Sequence, residues 1–158
     1  MKIKSLLGAL PLALLATSAV ALEVKVAKDS PAPPEAAWAA IGDWCGIASW
    51  HPAIEKCDAS VKDGANFRNL FLKGGGEVFE KQLTFDKAKM TYSYTIEKSP
   101  LPIQNYSAVM AVTPKDKGST ISWTAKFDSK GASDEEAVKT ITGIFEAGVG
   151  ALVTKTSK

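Results

Sequence analysis

Ser133-Asp134-Glu135-Glu136-Ala137-Val138-Lys139-Thr140-Ile141-Thr142-Gly143-Ile144-Phe145-Glu146-Ala147-Gly148-Val149-Gly150-Ala151-Leu152-Val153-Thr154 is where the chain changes period. Ser133 with Glu136 forms a capping box, and Asp134 and Glu135 load the first turn with negative charge. Val138, Ile141, Phe145, Val149 and Leu152 then follow one helical face. The spacing predicts one long helix ending near Thr154. Gly143, Gly148 and Gly150 interrupt it, each costing about 1 kcal/mol against alanine. Such glycines suit a helix that approaches a sheet closely, or leaves room for something between.

Everything upstream of that helix, back to Ile54, reads as strands separated by turns. The strands are expected at 54–61, 66–72, 77–85, 90–97, 105–113 and 119–127. Lys62-Asp63-Gly64-Ala65, Lys73-Gly74-Gly75-Gly76 and Pro114-Lys115-Asp116-Lys117-Gly118 are among the turn signals. Connections this short favour an antiparallel meander. Further upstream, 22–27 alternates as a strand and 35–41 as a short helix, with a second short helix before Pro52. The fold expected is α+β. A seven-stranded antiparallel sheet wraps around a long C-terminal helix in a helix-grip arrangement, with two short helices after the first strand.

Residues 1–21 read differently. Lys2 and Lys4 precede an apolar run from Leu6 to Leu15, and Ala19-Val20-Ala21 is an A-x-A site. This is the pattern of a secretory signal peptide cleaved after Ala21. The run is shorter than the roughly 20 apolar residues a membrane span requires. No other stretch is expected to span a membrane. Residues 22–158 would then form one domain of 137 residues, located in the periplasm. The precursor carries 19 basic and 17 acidic residues, and losing Lys2 and Lys4 brings the balance to zero. That excludes a basic footprint for nucleic acid or anionic lipid.

Residues 44–57 hold both cysteines, the only histidine and two of the four tryptophans. In an oxidising compartment Cys45 and Cys57 are most simply a disulfide. A Cys-x5-His-x5-Cys metal site is the weaker reading, because it matches no standard zinc spacing and lacks a fourth ligand. Neither a metal nor another cofactor is expected. His51 is read first as structural, since no nucleophile pattern accompanies it.

Strand alternation groups Tyr92, Tyr94 and Ile96, then Tyr106, Ala108, Met110 and Val112, then Ile121, Trp123, Ala125 and Phe127. These faces are expected to look towards the long helix. Arg68, the single arginine, and Glu80 are less easily placed. They can face inward as a charged pair, or face solvent while Phe67, Phe71, Phe79, Leu83 and Phe85 turn inward. Alternation in the 77–85 strand favours the second arrangement.

The corner Trp44-Cys45…Trp50-His51-Pro52…Cys57 resembles the W-H-P corner of bacterial polyketide cyclase/dehydrase-like proteins. Arg68, Glu80, Tyr94-Thr95-Ile96, Pro100-Leu101-Pro102-Ile103-Gln104-Asn105-Tyr106 and Trp123 follow in matching order. These proteins belong to the START-like, or SRPBCC, superfamily, and the exported MxaD-like group is similar in type. The resemblance implies a helix-grip fold around an apolar cavity and turns Arg68 and Glu80 towards that cavity. It implies binding of a small hydrophobic or amphipathic ligand by Trp44, Trp50, His51, Arg68, Glu80, Tyr94, Tyr106, Trp123 and Phe145. Two alternatives accompany it: a cyclase- or dehydratase-type enzyme, and an accessory protein of a periplasmic redox enzyme.

Overall fold

The computed structural model describes residues 21–158; the signal-peptide reading lies almost wholly outside them. Seven strands form one antiparallel sheet in the order β1-β7-β6-β5-β4-β3-β2. They are β1 (Leu22–Ser30), β2 (Ile54–Lys62), β3 (Ala65–Leu72), β4 (Glu77–Asp86), β5 (Thr91–Lys98), β6 (Ile103–Lys115) and β7 (Gly118–Ser129). Strands β2 to β7 run as successive hairpins, and β1 pairs with β7. The segment between β1 and β2 therefore crosses from one sheet edge to the other. It carries helix α1 (Pro34–Ile41) and one 3-10 turn (Gly46–Ser49), where two short helices were expected. Helix α2 (Asp134–Thr156) packs against the sheet. The architecture is the α+β helix grip expected from the sequence.

Ser133 caps α2, its hydroxyl accepting from the Glu136 backbone N–H at 3.2 Å. The buried face of α2 comprises Ala137, Ile141, Phe145, Gly148, Val149 and Leu152. Val138, assigned to that face from spacing, is only half-buried, and Ala137 takes its place. By length and hydropathy alone α2 could cross a membrane, which corrects the expectation that no stretch outside 1–21 could. In this fold, however, its apolar face is buried against the sheet, as in the core helix of a globular domain.

Two irregularities in the sheet decide which side chains point inward. In β6 the register shifts between Gln104 and Ser107, with Asn105 at φ 51°. One extra residue there lets Ile103 and Tyr106 both be buried although an odd number of positions separates them. In β4 the register shifts between Gln82 and Thr84. Before that bulge Val78 and Glu80 face inward, and after it Phe85 pairs with inward Tyr92. Simple alternation along 77–85 misassigns this strand because the bulge inverts its parity midway. Arg68 and Glu80 are buried, while Leu83 is exposed. Phe67 and Phe79 instead stack on each other on the outer face at 5.3 Å.

Candidate functional site

The α1–β2 crossover lays aromatic residues across the concave face of the sheet. Trp50 anchors it by donating from Nε1 to the Ile41 carbonyl at 3.0 Å, which satisfies an orphan acceptor at the end of α1. A Cys45–Cys57 disulfide ties the crossover to edge strand β2, with the Cα atoms 5.6 Å apart. The spacing lies within ordinary disulfide geometry.

Trp44, beside that bridge, covers the buried Arg68. Its ring lies 3.8 Å from the guanidinium carbon, and its carbonyl accepts from Arg68 Nη1. Arg68 Nε donates to Glu80 Oε2. The Tyr92 and Tyr94 rings lie 5.9 and 5.3 Å from the guanidinium. Arg68 thus sits in an aromatic box with one carboxylate partner. Two donors in this layer, Arg68 Nη2 and Trp44 Nε1, have no hydrogen-bond partner among the described residues. Burial pushes the Glu80 carboxyl above its ordinary range, against the opposing pull of the guanidinium.

Below this layer lies a cavity of about 270 Å³ between the sheet and α2. Tyr94, Tyr106, Trp123 and Glu80 line it from the sheet, Ile141, Ile144 and Phe145 from α2, and His51 from the crossover. Ile47, Leu70, Val78, Ile96 and Leu101 add apolar wall. Lys73, Gly74 and Gly75 border it from the β3–β4 turn. Three successive glycines there hold φ between 95° and 98°, a conformation in which side chains are strained.

At one end of the cavity Trp123 Nε1 donates to the Tyr94 hydroxyl at 3.1 Å, which lies 3.4 Å from the Tyr106 hydroxyl. Burial raises both phenols, so they act as neutral hydroxyls. Trp123 also stacks on Phe145, their centroids 4.3 Å apart. Gly148 makes this packing possible, because a β-carbon at that position would lie 2.7 Å from His51 Cδ2 and 2.8 Å from Trp123 Cζ3.

Both nitrogens of His51 are engaged. The Ala53 N–H donates to Nδ1 at 3.2 Å, and Nε2 lies 3.1 Å from the Ile144 carbonyl. That pattern is satisfied by the neutral tautomer with its proton on Nε2. Burial holds the imidazole below its ordinary range, and the Arg68 charge adds to the effect. The arrangement occupies His51 structurally and leaves it no nitrogen for proton transfer to a ligand.

The nine candidate residues therefore divide. His51, Glu80, Tyr94, Tyr106, Trp123 and Phe145 line the cavity. Trp44 and Arg68 form the layer supporting Glu80, and Trp50 packs on Trp123 at 5.9 Å. The aliphatic wall, above all Ile144 and Leu101, was absent from the sequence-derived set. Single aliphatic residues carry no chemical signature that separates cavity lining from core.

Residues 21–156 match the family described as polyketide cyclase/dehydrase and lipid transport, and the chain belongs to that family. XoxI from Bacillus cereus is 26% identical, with a TM-score of 0.78 over 85% of this chain and 94% of its own. A protein from Thermobifida fusca is 27% identical, with a TM-score of 0.71 over 84% of this chain and 91% of its own. The ZhuI aromatase/cyclase from a Streptomyces species shares the fold at 18% identity and a TM-score of 0.70, over 87% and 94%. No curated protein matches the chain.

Proposed function

We propose that the protein is exported to the periplasm, where residues 22–158 bind a small hydrophobic or amphipathic ligand between the sheet and α2. The cavity carries this reading: apolar walls and a few converging polar groups are the usual composition of a ligand site. Its volume limits the occupant. An apolar cavity of about 150 Å³ admits benzene, so about 270 Å³ suits one or two rings rather than a long acyl chain. The disulfide agrees with an oxidising compartment. Native mass spectrometry of protein purified from its own periplasm tests the reading. A co-purifying molecule of that size, lost on Trp123→Ala, is the expected result; protein empty in every preparation counts against a carrier.

The cyclase or dehydratase reading ranks lower on geometry. A general base needs a site open to its substrate, whereas both nitrogens of His51 are engaged and Glu80 is held by Arg68. An accessory role beside a periplasmic redox enzyme rests on the MxaD-like resemblance, and the likeness to XoxI is consistent with it. Capture of such an enzyme from a periplasmic extract would favour that role.

A further inference from the structure

Glu80 and Tyr106 bring two different hydrogen-bonding capacities to one cavity. One Glu80 oxygen accepts from Arg68, and the other accepts no hydrogen bond among the described residues. The carboxyl group lines the cavity while the guanidinium that balances its charge does not. A cavity occupant therefore meets the carboxylate of an ion pair whose cation, Arg68, is bonded to the other oxygen and is not itself among the lining residues. The Tyr94 hydroxyl already accepts from Trp123. If Tyr94 donates to Tyr106, the Tyr106 proton remains available; if Tyr106 donates to Tyr94, its lone pairs remain available. The polar groups thus comprise a fixed carboxyl acceptor and a hydroxyl able to give or take. Lys73, which makes no ion pair among the described residues, borders the cavity from the glycine-rich β3–β4 turn at its rim.

We propose that this cavity selects an uncharged hydroxyl-bearing ligand, a small phenol or aryl alcohol, and discriminates against the corresponding carboxylate. The proposal rests on the ligand-binding reading of the cavity. A hydroxyl donates to Glu80 and exchanges a second hydrogen bond with Tyr106. A carboxylate brings a second negative charge against Glu80 where little water screens it, and like charges so placed are strongly disfavoured. An unsubstituted ring leaves the buried acceptor unpaired and loses that hydrogen bond.

Three probes sharing one skeleton test this by calorimetry at pH 7: naphthalene, 2-naphthol and 2-naphthoate. The expected order places 2-naphthol about tenfold or more tighter than naphthalene. The naphthoate binds at least tenfold more weakly than the naphthol. Tyr106→Phe should bring the ratio of naphthol to naphthalene affinity close to one, and a cooperative urea transition shows that the variant folds. Glu80→Gln should narrow the gap between naphthol and naphthoate. Equal affinity for naphthalene and naphthol, or tightest binding by naphthoate, overturns the selectivity while leaving a ligand cavity. Failure of all three probes to bind overturns the cavity reading and this proposal with it.

Discussion

His51 is bonded through both ring nitrogens to backbone groups. Its two hydrogen bonds join the crossover to α2, and both are made by the neutral ring. Protonation would put a second N–H on Nδ1, facing the Ala53 N–H. The folded-state pKa is accordingly depressed by burial below 6.5. The folded chain then binds fewer protons than the unfolded chain over this range. Stability from His51 is fully present above about pH 6.5 and is lost as pH falls through the folded value. Glu80 acts in the opposite sense, since its raised pKa favours the folded state as pH falls. Asp29 and Asp86 are depressed from 3.8 and act at lower pH. The effect of His51 is isolated by comparing urea midpoints of the wild type and His51→Gln from pH 7.5 to 5. The wild type should lose more stability over that range than the variant. Parallel profiles would show that His51 is not the titrating group.

At the scale of elements, the crossover depends on its bridge. Cys45 and Cys57 are 12 positions apart and join a loop to an edge strand whose residues beyond Ile54 are largely exposed. Closing a loop of this length stabilises by about 3 kcal/mol on the chain-entropy model. A Cys45→Ala/Cys57→Ala variant should lose about 2–4 kcal/mol in urea titration, and the wild type under reductant should lose a similar amount. A loss below 0.5 kcal/mol would mean that packing alone holds Trp44 over Arg68. The bridge, the β2–β7 meander and the capped helix were legible because each has a short-range signature: paired cysteines, turn residues, a change of period. The inward faces of residues 92–96 in β5 and of β7 were legible for the same reason, as each alternates without interruption. The 77–85 strand was not, since a bulge near Leu83 inverts its parity and nothing in its composition marks the extra residue. The family resemblance turned Arg68 and Glu80 inward where periodicity did not; both are buried, and of the two only Glu80 lines the cavity.

For the molecule as a whole, the Arg68–Glu80 pair raises the question of why a small domain keeps an ion pair in its interior. Desolvating two charges costs several kcal/mol per ion, and their attraction only offsets this. The aromatic box helps Arg68, through Trp44 at 3.8 Å, but Nη2 and Trp44 Nε1 remain unpaired. The layer therefore contributes little net stability, which makes a binding role for Glu80 the better reason for its presence. Two kinds of substitution separate these roles. Arg68→Met alone leaves a buried carboxylate without its partner and should cost about 3–5 kcal/mol. Arg68→Met with Glu80→Leu removes both charges and should recover most of that loss, or exceed wild-type stability. Urea unfolding of the two single variants and the double variant gives the coupling directly. If the pair serves binding, the stable double variant should retain naphthalene and lose its preference for 2-naphthol. A double variant no more stable than Arg68→Met would show instead that the pair holds the crossover against the sheet.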